Sequence, residues 1–294
     1  MSEQDIADRE TLGELPNPIG LGGIEFVEYA SSKPQALGQV LETIGFQPVA
    51  RHRSREVLLY RQGEMNIIVN AHGSELPRAG RLTEHPTLTA IALRVRDAGA
   101  AYQRALERGA WAIPVHVQPM ELHIPALHGV GASRIYLVDR WQEFSIYDVD
   151  FVPIPTVQRH PPAIARLRWF GLVQYISNDR TGNWTDFYRE LFGFSQLPDG
   201  QRFGILPKGR VLRSPCGTFY LQLIEPEPGI LEIDGVESLA RIAFGTPDVL
   251  GAVGTLKARG MNFFESSSVH TEVRGALMEP ALFGLKFELV QFQE

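Results

Sequence analysis

The sequence predicts an α+β fold of four βαβββ modules in two pairs, each pair forming a curled open sheet around a cup. Three observations predict it. In both halves a glycine in an opening strand precedes a helix-ending glycine by 22 residues: Gly23 to Gly45 and Gly171 to Gly193. In both halves an aspartate at the start of a predicted helix precedes a helix-ending glycine by 12 residues: Asp97, a candidate N-cap, to Gly109, and Asp248 to Gly260. Around these positions, Ala90-Ile-Ala-Leu is similar to Arg241-Ile-Ala-Phe. Recurrence at fixed spacing indicates duplicated structural units.

The first half contains two modules, in which alternating apolar residues predict strands and glycines mark the helix ends. The first module has predicted strands at 23–29, 47–52, 57–61 and 66–70, with a helix that starts near Ser31–Pro34 and ends at Gly45. The second module has predicted strands at 89–95, 111–115, 135–138 and 144–151, with a helix over 97–108.

The second half repeats this order. The third module has predicted strands at 171–177, 202–206 and 219–224, with a helix over 184–192. The fourth has predicted strands at 241–245, 263–266 and 282–292, with a helix over 248–259. We interpret residues 1–16 as a disordered tail, 17–152 as an N-terminal domain, the proline-rich 153–162 as a linker, and 163–294 as a C-terminal domain that carries the functional cup.

The composition is that of a globular protein that binds neither nucleic acid nor a membrane. The chain has 294 residues, 44% hydrophobic and 21% charged, with a net charge of −6. We expect no membrane span, because none of its apolar runs approaches the length of about 18 residues that a span needs. The single cysteine, Cys216, excludes an internal disulfide framework. With an N-terminus that lacks a signal-peptide pattern, this predicts a cytoplasmic protein.

The final predicted strand contains a carboxylate in an apolar setting. Glu288 lies between Phe287 and Leu289, and side chains alternate across a strand, so Lys286, Glu288 and Val290 share a face. A buried carboxylate needs a cation, a metal or several hydrogen-bond donors, because its desolvation alone is too costly. The partner of Glu288 is therefore the central question about this protein.

The sequence resembles the 4-hydroxyphenylpyruvate dioxygenases, members of the vicinal-oxygen-chelate (glyoxalase-like) superfamily. The resemblance covers most of residues 17–152 and is carried by six segments: 17–30, 52–63, 101–106, 119–126, 135–140 and 145–151. It continues more faintly in the second half, through Asp186-Phe-Tyr-Arg-Glu-Leu-Phe-Gly-Phe194 and Ala258-Arg-Gly-Met261.

The resemblance implies a non-haem Fe(II) enzyme that oxidises a 4-hydroxyphenyl 2-oxo acid with O₂ to homogentisate. Its iron would be held by two histidines and one glutamate of the C-terminal half. These ligand positions correspond here to Gly171, Arg241 and Glu288. Glycine has no side chain, and arginine stays protonated and cannot coordinate a metal. We therefore predict a degenerate iron site without a metal cofactor; Fe(II) belongs only to the alternative of an active dioxygenase with other ligands.

Strand alternation predicts which side chains enter the C-terminal cup. The inward set is Gly171, Val173, Tyr175, Tyr220, Gln222, Ile224, Arg241, Ala243, Gly245, Lys286, Glu288 and Val290. We predict an ion pair between Arg241 and Glu288, because they occupy former ligand positions that must be close in space. The pair could have a purely structural role and stabilise the fold at the position of the metal. Alternatively, the cup binds a small anion, with Arg241, Lys286, Tyr220, Gln222 and Tyr175 as the candidate binding residues.

Three classes of function remain open from the sequence. The chain could be a metal-free protein that binds a small anionic molecule, either aromatic or similar to a 2-oxo acid. It could be a metal-independent isomerase, lyase or dehydratase in which Glu288 or His270 is the catalytic base. It could also be an active Fe(II)-dependent dioxygenase. The resemblance further implies a homo-oligomer formed through the N-terminal half.

Overall fold

The computed structural model describes residues 16–71, 85–114, 121–198, 209–225, 237–264, 275–279 and 285–292. Within these ranges the chain is a mixed α and β protein with two open curled sheets and few helices. Each sheet contains two βαβββ modules, as predicted. In the described part of the fourth module, the strand after the helix is reduced to a bridge between Phe263 and Met278.

The first sheet consists of β1 (Gly23–Ala30), β2 (Gln47–His52), β3 (Val57–Gln62), β4 (Met65–Asn70), β5 (Thr87–Arg94), β6 (Ala112–Ile113), β7 (Ala126–His128), β8 (Arg134–Val138) and β9 (Phe151–Pro153). Its helices are α1 (Pro34–Ile44), α2 (Ala98–Glu107) and α3 (Ile146–Asp150). The strand order is β6-β7-β8-β5-β1-β4-β3-β2-β9. The opening strands of the two modules, β1 and β5, are antiparallel neighbours and join the modules into one sheet.

The second sheet consists of β10 (Arg168–Tyr175), β11 (Ser195–Gln196), β12 (Arg210–Arg213), β13 (Tyr220–Ile224), β14 (Ser238–Thr246), β15 (Gly275–Leu277) and β16 (Phe287–Gln291). Its helices are α4 (Thr181–Phe192) and α5 (Val249–Ala258), and a 3₁₀ turn at Ile164–Arg166 precedes β10. The strand order is β11-β12-β13-β10-β14-β16-β15. The opening strands β10 and β14 again lie side by side, and β16 is buried between β14 and β15.

The predicted cap Asp97 is confirmed, and Asp248 caps the corresponding helix of the second half. Asp97 accepts a hydrogen bond from the backbone N–H of Ala100 at 2.8 Å, and Asp248 accepts one from Gly251 at 2.9 Å. Each satisfies a backbone donor that the first turn of a helix leaves unpaired. Gly45 ends α1 with a φ of 112°, a left-handed conformation that favours glycine.

The equal glycine spacing does not reflect an equal strand register. Gly23 opens β1 opposite Arg94, whereas Gly171 is the fourth residue of β10 and lies opposite Ala243. Because Ala92 and Ala243 hold corresponding places in the sequence match, Gly171 corresponds to Phe26, the partner of Ala92. The connection 176–180 between β10 and α4 is longer than the connection 31–33 between β1 and α1, and α4 has 12 residues where α1 has 11, so the helix-ending glycines still coincide.

The predicted strand at 144–151 is wrong. Residues 146–150 form α3, and only Phe151–Pro153 is a strand, which pairs with β2. Ser145 and Asp148 form a reciprocal capping box that starts the helix, a signal present in the sequence that alternation alone obscured. The short strand β7 was not predicted. The predicted strand at 202–206 and part of the one at 263–266 lie outside the described residues.

One hydrophobic cluster extends through both halves of the chain. Phe46, which follows α1, and Phe244 of β14 are both fully buried, with ring centroids 6.0 Å apart. Arg259, after α5, donates from its guanidinium to the carbonyls of Glu42 and Thr43, each at 2.7 Å, and so satisfies the C-terminal end of α1. Among the described residues, no helix has the length and apolarity required to cross a membrane.

Candidate functional site

The two charged residues of the predicted ion pair lie on neighbouring parallel strands. Strand β16 runs beside β14, with Glu288 opposite Ala243. Arg241 precedes Ala243 by two residues and therefore lies on the same face. Its Nε donates to Oε2 of Glu288 at 2.6 Å, and the two side chains are only 3% and 6% exposed. The predicted contact is confirmed.

Burial changes the pKa of the Glu288 carboxyl group. Burial raises the pKa of Glu288 above its ordinary value, while the charge of Arg241 and its hydrogen bond oppose that rise. The ion pair thus compensates part of the desolvation cost. A buried acid with an arginine in contact is an arrangement that can hold an anion or move a proton.

Not every nitrogen of the Arg241 guanidinium has a hydrogen-bond partner among the described residues. Its Nη1 donates weakly to the hydroxyl of Tyr175, at 3.4 Å. Its Nη2 is buried and has no hydrogen-bond partner within the described part of the chain. Because a buried donor without a partner is costly, this edge of Arg241 is the place where an acceptor is expected.

An aromatic cluster of Phe170, Tyr220 and Phe292 lies beside the ion pair. Phe170 stacks on Tyr220 with ring centroids 5.0 Å apart and meets Phe292 edge-on at 5.9 Å. The cluster packs on Ala243 and Val290, which are the next residues on the same strand faces as Arg241 and Glu288. This face of the second sheet therefore has a charged end and an aromatic middle.

Phe170 was missed by the sequence analysis because of a local irregularity. The register of β10 against β14 shifts between Trp169 and Gly171, which is the pattern of a β-bulge. Strict alternation assigned one face of β10 to Gly171, Val173 and Tyr175. The bulge turns Phe170 to that same face. At the far end of the cluster, the guanidinium of Arg168 lies 3.7 Å from the ring centroid of Phe292.

The remaining predicted residues have different surroundings. Tyr220 belongs to the aromatic cluster, and Gln222 lies on β13 opposite Val173. Lys286 precedes the first residue of β16 and is exposed, in contrast to the buried Glu288. His270 lies outside the described residues. The binding roles of Gln222 and Lys286 and the catalytic role of His270 stay predictions.

The residues at the three positions that the resemblance assigns to iron ligands do not together fit Fe(II). Arg241 can only donate hydrogen bonds, so it cannot be a metal ligand. Its Nε already donates to the carboxylate of Glu288, the remaining ligand. At Gly171, a Cβ atom would lie 2.1 Å from the carbonyl oxygen of Tyr220 on the adjacent strand β13. The backbone thus leaves no room for a histidine at that position. Within the described residues, no three side chains of His, Cys, Asp or Glu come together as a metal site.

Comparison with known proteins places this fold and site in a family. Residues 15–152 match the family model described as "Hydroxyphenylpyruvate dioxygenase, HPPD, N-terminal". The 4-hydroxyphenylpyruvate dioxygenase of Pseudomonas sp. strain P.J. 874 is 36% identical over 260 residues, which cover 84% of this chain and 72% of that protein. The chain belongs to the 4-hydroxyphenylpyruvate dioxygenase family. The resemblance read from the sequence is therefore confirmed, and the fold is that of the vicinal-oxygen-chelate proteins.

Proteins similar to this chain carry more than one name and differ in length. The 3-dehydroshikimate dehydratase of Pseudomonas aeruginosa strain PAO1 is 34% identical over 265 residues, which cover 85% of this chain but 41% of that protein. Among solved structures, a xylose isomerase-like TIM barrel/4-hydroxyphenylpyruvate dioxygenase fusion protein matches with a TM-score of 0.74 and 26% identity. That match covers 98% of this chain and 53% of the fusion protein, so the chain spans about half of it.

Proposed function

We propose that the C-terminal cup binds or converts a small anionic molecule, aromatic or similar to a 2-oxo acid, without Fe(II). The observation that carries this proposal is the buried ion pair of Arg241 and Glu288 at two positions that the family resemblance assigns to metal ligands. A cation of the protein thus satisfies the carboxylate that would otherwise bind the metal. On this proposal the iron site is degenerate.

Arg241 is the proposed anion-binding group. An arginine presents several donors in a planar fork, and one edge can hold Glu288 while the other receives a carboxylate or an oxo group. The buried Nη2, which lacks a partner among the described residues, supplies that second edge. The hydroxyl of Tyr175 lies beside it and can contact the same ligand.

The aromatic cluster supports a ligand with an aromatic body. Tyr220 and Phe292 are only partly buried and flank the buried Phe170, so their rings offer apolar surface next to the charged end of the cup. Aromatic rings favour offset or edge-on contacts with one another. A ligand with an anionic group on Arg241 would direct an attached ring toward this cluster.

If the protein converts its ligand, Glu288 is the base that the geometry supports. The carboxylate would take a proton from the carbon next to a carbonyl, leaving the electron pair on an enolate, and Arg241 would stabilise the enolate oxygen. The raised pKa of Glu288 suits a group that must both accept and release a proton. His270 is the second candidate base.

The alternative is an active Fe(II)-dependent dioxygenase of the parent type. Family membership favours it, since the relative from Pseudomonas sp. strain P.J. 874 is named for that activity. Such an enzyme would need other ligands than the residues now at positions 171 and 241.

Metal content and ligand affinity together separate these possibilities. The full chain is purified, loaded anaerobically with Fe(II) and assayed for bound iron. It is then mixed with 4-hydroxyphenylpyruvate in air-saturated buffer, which supplies the O₂, and assayed for homogentisate. We expect neither stoichiometric iron nor homogentisate; both together would overturn the proposal.

Calorimetry with phenylpyruvate, 4-hydroxyphenylpyruvate and an uncharged methyl ketone of the same ring tests the binding itself. We expect the 2-oxo acids to bind and the ketone to bind at least tenfold more weakly, a difference of about 1.4 kcal/mol. Arg241→Met should abolish the difference, while Arg189→Met, on the exposed face of α4, should preserve it. Unchanged affinity in Arg241→Met would assign the ion pair to structure alone.

A further inference from the structure

A second recess lies in the first half of the chain, remote from the C-terminal cup. It is bounded by β1, β4, the segment 121–124 and helix α3, and has a volume of about 140 Å³. We call it the N-terminal cleft and define it by Phe26, His52, Ile68, Glu121, Ile124 and Asp150 in its lining. The function proposed above does not use it.

Asp150, the last residue of α3, is the polar group that distinguishes the cleft. Its side chain lines the recess although the residue is only 7% exposed. One carboxylate oxygen accepts a hydrogen bond from the backbone N–H of Leu122 at 3.1 Å. The other has no hydrogen-bond donor among the described residues. Burial raises the pKa of Asp150, and the charge of Glu121 adds to the rise, while the hydrogen bond from Leu122 and the nearby His52 and Arg55 oppose it.

The charged groups described near Asp150 do not supply it with a paired cation. Arg55 is held by Glu121, through contacts of 3.2 Å and 2.6 Å, and Ser54 donates to the same carboxylate at 2.7 Å. His52 packs edge-on against Phe151, with ring centroids 5.2 Å apart, and burial lowers its pKa, which favours the neutral imidazole. With His52 neutral, the cleft is lined by three carboxylates (Glu28, Glu121 and Asp150) and two guanidinium groups (Arg55 and Arg134).

The rest of the cleft is apolar and of a definite size. Phe26, Ile68, Ile146 and Phe151 are all at least nine-tenths buried and line it. An apolar cavity of about 150 Å³ is large enough to hold benzene. The available volume therefore fits a single ring or a branched chain of similar size.

We propose that the N-terminal cleft is a second ligand site, which binds a small organic amine. The ammonium group contacts the second carboxylate oxygen of Asp150, the one that does not accept from Leu122, and an apolar body about the size of one ring packs against Phe26 and Ile68. A metal ion is disfavoured, because the described His and carboxylate side chains do not converge here. A cation with an apolar body satisfies the charge and the shape of the cleft together.

Benzylamine is a suitable probe, and its matched controls are benzyl alcohol and benzoate. Calorimetric titration of the full chain should show that benzylamine binds at least tenfold more tightly than either control. Asp150→Asn keeps the acceptor for Leu122 and removes the charge, so it should weaken benzylamine at least tenfold. Ile68→Phe fills the cleft while leaving Asp150 in place and should also abolish binding, which answers the question even if Asp150→Asn does not fold.

Two further variants locate the effect. Glu143→Gln removes an exposed carboxylate near α3, and Arg189→Met changes an exposed side chain of α4; both should bind benzylamine as the natural chain does. The proposal is wrong if benzylamine does not bind, if benzoate binds equally well, or if neither Asp150→Asn nor Ile68→Phe weakens the amine. Since none of these results depends on a ligand of the C-terminal cup, the two proposals fail or succeed separately.

Discussion

At the scale of single residues, Arg241 and Glu288 form a contact whose stability depends on both partners. Removing one partner of a buried ion pair leaves the other charge uncompensated, which typically costs about 3–5 kcal/mol. Replacing both by apolar residues of similar volume is often neutral or stabilising. The two charges (3% and 6% exposed) are therefore retained at some cost in stability, which is more easily explained by a ligand than by structure alone.

We predict that Arg241→Met lowers the free energy of unfolding by about 3–5 kcal/mol and that Arg241→Met/Glu288→Leu recovers most of it. Urea denaturation of the single and double variants measures both values. The double variant should have lost affinity for 2-oxo acids despite its recovered stability. A double variant that still binds them would show that the ion pair takes no part in recognition.

His52 gives the first half a dependence of stability on pH. Burial lowers the pKa of this imidazole, and the nearby Glu121 and Asp150 only partly oppose that effect. Below the unfolded pKa of 6.5, the unfolded chain therefore binds a proton that the folded chain resists. The contribution of His52 is present above that value and is lost as the pH falls toward the folded pKa.

The natural chain should consequently lose more stability than His52→Gln when the pH is lowered from about 7.5 to about 5.5. Chemical denaturation at the two pH values, carried out on both proteins, gives the comparison. His160→Gln is the control for removal of an exposed histidine in the same half. If His52→Gln and the natural chain lost equal free energies of unfolding, the pH dependence would not come from His52.

At the scale of elements, the close contact of β10 with β13 depends on Gly171. The strands are parallel partners, with Gly171 paired to Tyr220, and a Cβ atom would meet the carbonyl oxygen of Tyr220 at 2.1 Å. Because that atom belongs to the backbone, it cannot move aside as a flexible side chain could. The position is thereby closed to any side chain, including a metal ligand.

Gly171→Ala should destabilise the fold by about 1–3 kcal/mol, the usual cost of overpacking, or more if the strands separate. Gly254→Ala is the matched control: this glycine lies in the middle of α5, has open space around its Cβ position, and should gain about 0.5–1 kcal/mol. Thermal unfolding of both variants tests the pair. A Gly171→His/Arg241→His variant that folds and binds Fe(II) would contradict the conclusion that position 171 is closed to side chains.

The modules and the ion pair could be predicted because their signals are local and periodic. Caps, helix-ending glycines and alternating strands depend on a few consecutive residues, and Arg241 and Glu288 followed from alternation within two such strands. Phe170 could not be predicted, since a bulge shifts alternation by one residue without a sequence signal of its own. Helix α3 was mistaken for a strand because its five residues are too few to show a helical period. The N-terminal cleft needed the structure, because it joins side chains from strands and segments far apart in the sequence.

At the scale of the whole molecule, the two sheets share a large hydrophobic cluster, and a smaller cluster lies in each half. Phe46 and Phe244 lie in the large cluster from opposite halves, and Arg259 adds two hydrogen bonds from α5 to the end of α1. A division at residues 153–162 into an N-terminal and a C-terminal domain stays a proposal, and these contacts indicate that such domains would be energetically coupled. Unfolding one sheet would expose the buried face of the other.

We therefore predict that both sheets unfold in a single cooperative transition. Hydrogen exchange should give the same opening free energy for the slowest amides of β4 in the first sheet and of β14 in the second. Phe46→Ala should lower both values by about 3–5 kcal/mol, because the cavity it leaves lies in the shared cluster. Phe144→Ala, which removes an aromatic ring that is 58% exposed, should change neither. If Phe46→Ala lowered the value for β4 and left β14 unchanged, the two halves would be independent folding units, and a ligand of the N-terminal cleft could not stabilise the C-terminal cup.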